Sequence, residues 1–172
     1  MFGLQLLLAV GLSFSCLALA APMAGSNCTL ESLKDAVNDY ISAQTTGSST
    51  AIKALSSSVT YTQNDKAGAI STGILATPLK IDHNRSTIDT TAYATYTELI
   101  ITNKAKPYVI GTQMRFKGGS ITKVQSLVTT IRDWQFNVTG TVYWASKENV
   151  RTQFYLLEIP PNCCNLHENA DL

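Results

Sequence analysis

Apolar side chains recur at helical spacing just after Cys28. Leu30, Leu33, Val37, Tyr40 and Ile41 fall on one face, and Glu31, Lys34, Asp35 and Asn38 on the other. Thr29 is a suitable N-cap and Glu31 is favourable in the first turn, so the spacing predicts an amphipathic helix that Gly47-Ser48-Ser49 ends. A short second helix over 50–57 would bury Ile52 and Leu55.

Beyond that point the pattern changes. β-Branched and aromatic residues with period-two alternation predict strands at 59–62, 86–89, 92–102, 108–116 and 121–132, with shorter ones at 134–136, 141–145 and 154–159. Residues 64–68 and 103–107 read as loops, 74–81 as irregular around Pro78, and Lys117-Gly118-Gly119-Ser120 as a hairpin turn. Helices followed by a meander of strands predict an α+β fold: N-terminal helices packed on a strongly curved antiparallel sheet, a cone whose mouth suits a ligand.

The first residues stand apart from this grammar. Residues 1–20 carry no charge, are almost wholly apolar or small from Leu4 to Leu19, and end Ala18-Leu19-Ala20 with Pro22 close behind, the form of a cleavable signal peptide. The run is shorter than the roughly 20 residues that span a bilayer. The expected organisation is a signal peptide at 1–20, a short mature segment at 21–27, one domain at 28–159 and a tail at 160–172, in a secreted or secretory-lumen protein with no membrane association after cleavage. Sequons at Asn27, Asn84 and Asn137 offer glycosylation sites in that compartment. Cys28 can bridge to Cys163 or Cys164, closing a long loop worth about 4–5 kcal/mol in the chain-entropy model, and a vicinal Cys163–Cys164 bridge is the rival pairing.

Composition narrows the partners. Among 172 residues, 13 Lys and Arg stand against 12 Asp and Glu, so no basic stripe invites nucleic acid. There is no CxxC, and His83 and His167 lie far apart, which gives no metal site. No GxSxG, P-loop or dinucleotide glycine fingerprint is present, so no cofactor is expected.

The densest polar cluster is Asp82-His83-Asn84-Arg85. His83 can exchange protons near neutrality, Arg85 offers a planar fork for a carboxylate or enolate, and Asp82 can orient the imidazole. The same four residues also suit a solvated loop with Asp82 pairing Arg85. A second set lies on the long strands: Tyr96 and Glu98 share a face, as do Gln113 and Arg115. Glu98 can pair with Arg115, or act as a base if it faces an apolar pocket. Trp134 can roof a ligand or fill a rim.

Two N-terminal helices followed by the hairpin YVIGTQMRF, KGGS and its return strand resemble the ketosteroid-isomerase-like, or SnoaL-like, cone fold. Within it, the signal peptide and the segments PLKIDHNRS, YVIGTQMRF and DWQFN are similar to small secreted fungal members, including the maleidride dimerising cyclases of polyketide gene clusters. The resemblance covers roughly residues 28–138. The steroid isomerases' Tyr and Asp constellation has no mapped counterpart here.

That resemblance implies a cofactor-independent lyase or cyclase for a small organic metabolite. It would form a carbanion from a maleic-anhydride monomer, with His83 or Glu98 as base and Arg85, Arg115 or Gln113 holding the enolate. It also implies a homodimer through the open sheet face. Two other functions fit the same residues: a binding module that holds a hydrophobic metabolite unchanged, and a secreted interaction protein with a filled core and an exposed apolar patch.

Overall fold

The computed structural model describes residues 28–148. Helix α1, Leu30–Thr46, follows the apolar spacing: Thr29 Oγ1 accepts from the Ser32 amide at 3.2 Å, and Leu33, Val37 and Tyr40 are buried, with Ala36, Ala43 and Gln44 completing the stripe. Gly47 ends the helix in the left-handed region at φ 70°. A Cβ there would lie 2.7 Å from Pro78 Cδ, so backbone and packing both call for glycine.

The second helix does not form. Ser49–Ala51 makes one 3-10 turn, and strand β1, Leu55–Gln63, begins inside the stretch expected to be helical. Its Ser- and Thr-rich run has no continuous apolar stripe for a helix to bury, whereas extended backbone finds a neighbouring strand. The loop expected at 64–68 is a tight turn plus a short strand: Asn64 and Asp65 both take positive φ, 49° and 61°, and β2, Lys66–Gly68, folds back on β1.

The remaining strands are β3, His83–Asp89; β4, Ala94–Ile101; β5, Tyr108–Lys117; and β6, Ser120–Thr130. The sheet order is β2-β1-β6-β5-β4-β3. Strands β3 to β6 form the expected antiparallel meander, but β1 pairs parallel with β6, so the sheet is mixed rather than antiparallel. Register breaks between Leu55 and Thr60 and between Arg115 and Phe116 increase local twist and bend the sheet around α1.

One face of that sheet packs on α1. Leu33, Tyr40, Leu99, Ile110, Met114 and Ile121 are each no more than 1% exposed. At the centre the Tyr40 hydroxyl donates to Thr112 Oγ1 at 2.7 Å, and the Thr112 and Ser126 hydroxyls lie 2.9 Å apart. Gln44 Nε2 donates to the carbonyls of Ile74 and Thr77, both at 2.9 Å, tying α1 to the 3-10 turn Ile74–Ala76. The space between α1 and the sheet centre is therefore filled.

The strands expected at 134–136 and 141–145 are absent. The first stretch is a turn, and the second lies within helix α2, Val138–Lys147. Asn137 caps α2, its Oδ1 accepting from the Gly140 amide at 2.9 Å, a local signal that outweighs the aromatic and β-branched content of the segment. Helix α2 packs against β4. The strand expected at 154–159, the signal segment at 1–20 and the tail lie outside the described residues. No described helix is long and apolar enough to cross a membrane.

Candidate functional site

Alternation and register gather most of the singled-out residues on the sheet face away from α1. Arg85 stands opposite Glu98, Tyr96 opposite Gln113, and Arg115 opposite Ala94. Arg85 Nε lies 3.0 Å from Glu98 Oε1, off the hydrogen-bonding direction, while Nη2 donates to Oε2 at 3.3 Å. Arg85 Nη1 also pairs with Glu148, just past α2. Burial pulls the guanidinium down, but the hydrogen bond and charge of Glu98, then of Glu148, more than offset it, so its pKa is raised.

The expected Glu98–Arg115 pair does not form. The ladder sets Glu98 against Gly111, and Arg115 Nε donates to Gln113 Oε1 at 3.2 Å instead. Asp82 does not orient His83 either: its Oδ2 accepts from the Thr102 amide and hydroxyl, both at 2.7 Å, and no hydrogen bond joins it to His83 among the described residues. The Thr102 amide first, then its hydroxyl, lower the Asp82 carboxyl below its ordinary range. Within β3, strand alternation puts His83 and Arg85 on one face and Asn84 on the other. The quartet is thus split rather than convergent.

Among the hollows lined by described residues, two bear on a ligand site. The smaller, about 220 Å³, opens on the face away from α1 and is lined by Thr62, Tyr96, Gly111, Gln113, Gln125 and Leu127 among others. Tyr96 lies across Gly111, where a Cβ would fall 2.4 Å from its hydroxyl oxygen. Burial first, then the charge of Glu98, raise the Tyr96 phenol. Glu98, Arg85 and His83 are not among the residues lining this hollow.

The larger hollow, about 460 Å³, is a cleft between the β1–β2 hairpin and residues 69–77. Its walls include Tyr61, Gln63, Lys66, Gly73 and Ile74. The Tyr61 hydroxyl donates to Gln63 Oε1 at 2.9 Å, and the Ile74 amide donates to the same oxygen at 2.8 Å. Burial raises the Tyr61 phenol above its ordinary value. Gln63, Lys66 and Gly73 carry no motif in the sequence and sit on a hairpin and a loop; the Asn64-Asp65 turn is the signal that brings Gln63 and Lys66 together.

Trp134 is 89% exposed on the turn after β6 and lines neither hollow. Asn84 and Asn137 are both exposed, while Asn27 lies outside the described residues. Cys28 is buried in the core, and both of its candidate partners, Cys163 and Cys164, lie outside the described residues. Among the described residues no three His, Cys, Asp or Glu side chains come together as metal ligands.

Solved structures similar to this chain include two NTF2-like proteins. One is an NTF2-like protein of unknown function from Shewanella baltica OS155, with 15% identity over 60% of this chain and 94% of that one, at a TM-score of 0.40. The other is an NTF-2 like protein of unknown function from Burkholderia xenovorans LB400, with 15% identity over 70% of this chain and 95% of that one, at a TM-score of 0.43. No protein-family model and no curated protein matches the chain.

Proposed function

We propose that this protein is an exported binding domain that holds a small organic molecule, unchanged, in the cleft between the β1–β2 hairpin and residues 69–77. The observation that carries this is the separation of hollow from acid–base chemistry. The cleft holds one phenol, hydrogen-bonded to Gln63 and moved by burial still further from titrating near neutrality, whereas Glu98 is paired with Arg85 elsewhere. The cleft is open to solvent, and its volume of about 460 Å³ falls in the range of small-ligand sites. Export rests on the apolar leader at 1–20.

The test is to incubate the full chain with a mixture of small aromatic and aliphatic metabolites, recover what binds, and compare it by mass spectrometry with what was added. Recovery of unaltered compound, lost when Thr72→Trp fills the cleft, is the expected result. Recovery of a transformed compound, or binding indifferent to Thr72→Trp, would overturn it.

A cofactor-independent lyase or cyclase is the alternative, favoured by Tyr96 and Gln113 lining the smaller hollow on the face that also carries Glu98. Glu98, on the same face but outside the lining of that hollow, would take a C–H proton from a polyketide-type anhydride once Arg85 gives way, and Gln113 would hold the enolate. Turnover lost in Glu98→Gln would favour this function. Unchanged turnover in both folded His83→Ala and Glu98→Gln would remove it.

A further inference from the structure

We infer that the larger cleft is selective for organic anions, taking a carboxylate on a flat apolar body. This rests on the binding function above and names the ligand's chemistry. Among the described residues, Lys66 is the one charged side chain lining the cleft, and no Asp or Glu lines it. Asp65, next along the chain, lines the other hollow, and Lys66 makes no ion pair among the described residues. An anion entering the cleft therefore meets an uncompensated cation.

The second group is Gln63. Its Oε1 already accepts from both the Tyr61 hydroxyl and the Ile74 amide. Turning the amide over would set its NH2 against the Ile74 N–H, donor against donor, so the orientation is fixed. The Nε2 is left with no hydrogen-bond partner among the described residues, a preset donor on the cleft wall.

The walls supply the apolar part. Tyr61 packs so closely on Gly73 that a Cβ there would lie 2.5 Å from the ring, and Ile74, Ala67 and Ala69 extend the surface. One cation and one fixed neutral donor match a monocarboxylate. A phosphate dianion would be undercoordinated, and a cation would face only repulsion.

The probes are 2-naphthoate, 2-naphthamide and 2-naphthylmethylammonium, titrated into the full chain while the backbone amides of Lys66, Gly68 and Gly73 are followed by NMR. Naphthoate is expected to bind best and to lose about tenfold in affinity in Lys66→Met, while naphthamide changes little. Gln63→Glu keeps an acceptor for Tyr61 and Ile74 but reverses the polarity offered to the ligand, and should also weaken naphthoate. Equal binding of the three probes, or naphthoate indifferent to Lys66→Met, overturns the anion selectivity and leaves the binding function standing. If no probe moves those amides, both fall.

Discussion

Arg85 and Glu98 face each other across the β3–β4 ladder, and the guanidinium closes on the carboxylate from the neighbouring strand. The Glu98 side chain is 14% exposed and that of Arg85 42%. Sequence offers Glu98 as a base; the fold gives it a counter-ion. To accept a proton it would first have to be released from Arg85, which Glu148 also grips.

Removing either partner should have unequal effects. Arg85→Met leaves a mostly buried carboxylate uncompensated and is expected to cost about 1–2 kcal/mol, below the value for fully buried pairs because Arg85 is partly solvated. Glu98→Gln should cost less, since a neutral amide stays in place and Arg85 keeps Glu148. Urea unfolding of the two variants measures the difference, and equal costs would contradict it.

Tyr40 joins the helix to the sheet through Thr112. Tyr40→Phe keeps the ring and loses the hydrogen bond, an expected cost of about 1 kcal/mol by chemical denaturation.

The same tyrosine makes a prediction for alkaline pH. Burial raises the Tyr40 phenol well above its ordinary 10.0, and does the same to a smaller degree for Tyr61 and Tyr96. The folded chain keeps these protons after the unfolded chain has lost them. Stability should therefore be unaffected by them below pH 10 and fall as pH rises past it. Absorbance at 295 nm, followed beside far-UV circular dichroism, should show the buried Tyr40 phenol ionising only with unfolding, whereas the exposed Tyr96 ionises in the folded chain.

Asp82 acts at the other end of the scale. Its folded carboxyl titrates below the ordinary aspartate value because Thr102 donates to it twice. Its contribution is present above that value and is lost as pH falls through the folded pKa. Asp82→Asn should flatten the acid limb of the stability profile without changing the plateau near neutrality by more than about 1 kcal/mol.

Gly47 is the position where one methyl group should matter most. Ala there would need φ near 70° and would press its Cβ on Pro78 at 2.7 Å. A loss of about 2–4 kcal/mol is expected in thermal or urea unfolding. Gly118, also at positive φ but with open space around it, should tolerate Ala at a cost nearer 1 kcal/mol.

The first helix was legible because its cap, apolar stripe and terminating glycine all lie within one stretch of chain. The β5–β6 hairpin was legible for the same reason: alternation on both sides and Gly118-Gly119 between them. The segment at 50–57 misled because Ile52 and Leu55 mimic a helical spacing, while the partner that draws the chain into β1 is β6, far away in sequence. The segment at 141–145 misled in the opposite sense, since its composition suits a strand and the deciding feature is the cap at Asn137.

The candidate site divides along the same line. Period-two alternation was enough to put Tyr96 with Glu98 and Gln113 with Arg115, because side-chain direction in a strand is a local property. Which charge meets which is not local. Register gave Glu98 to Arg85 rather than Arg115, Thr102 took Asp82, and residues 69–77 packed beside the β1–β2 hairpin to make Gln63 and Lys66 part of a cleft wall. Local stereochemistry determined the elements and their faces; only packing between distant strands decided which of those faces border a void and which ionisable groups already have partners.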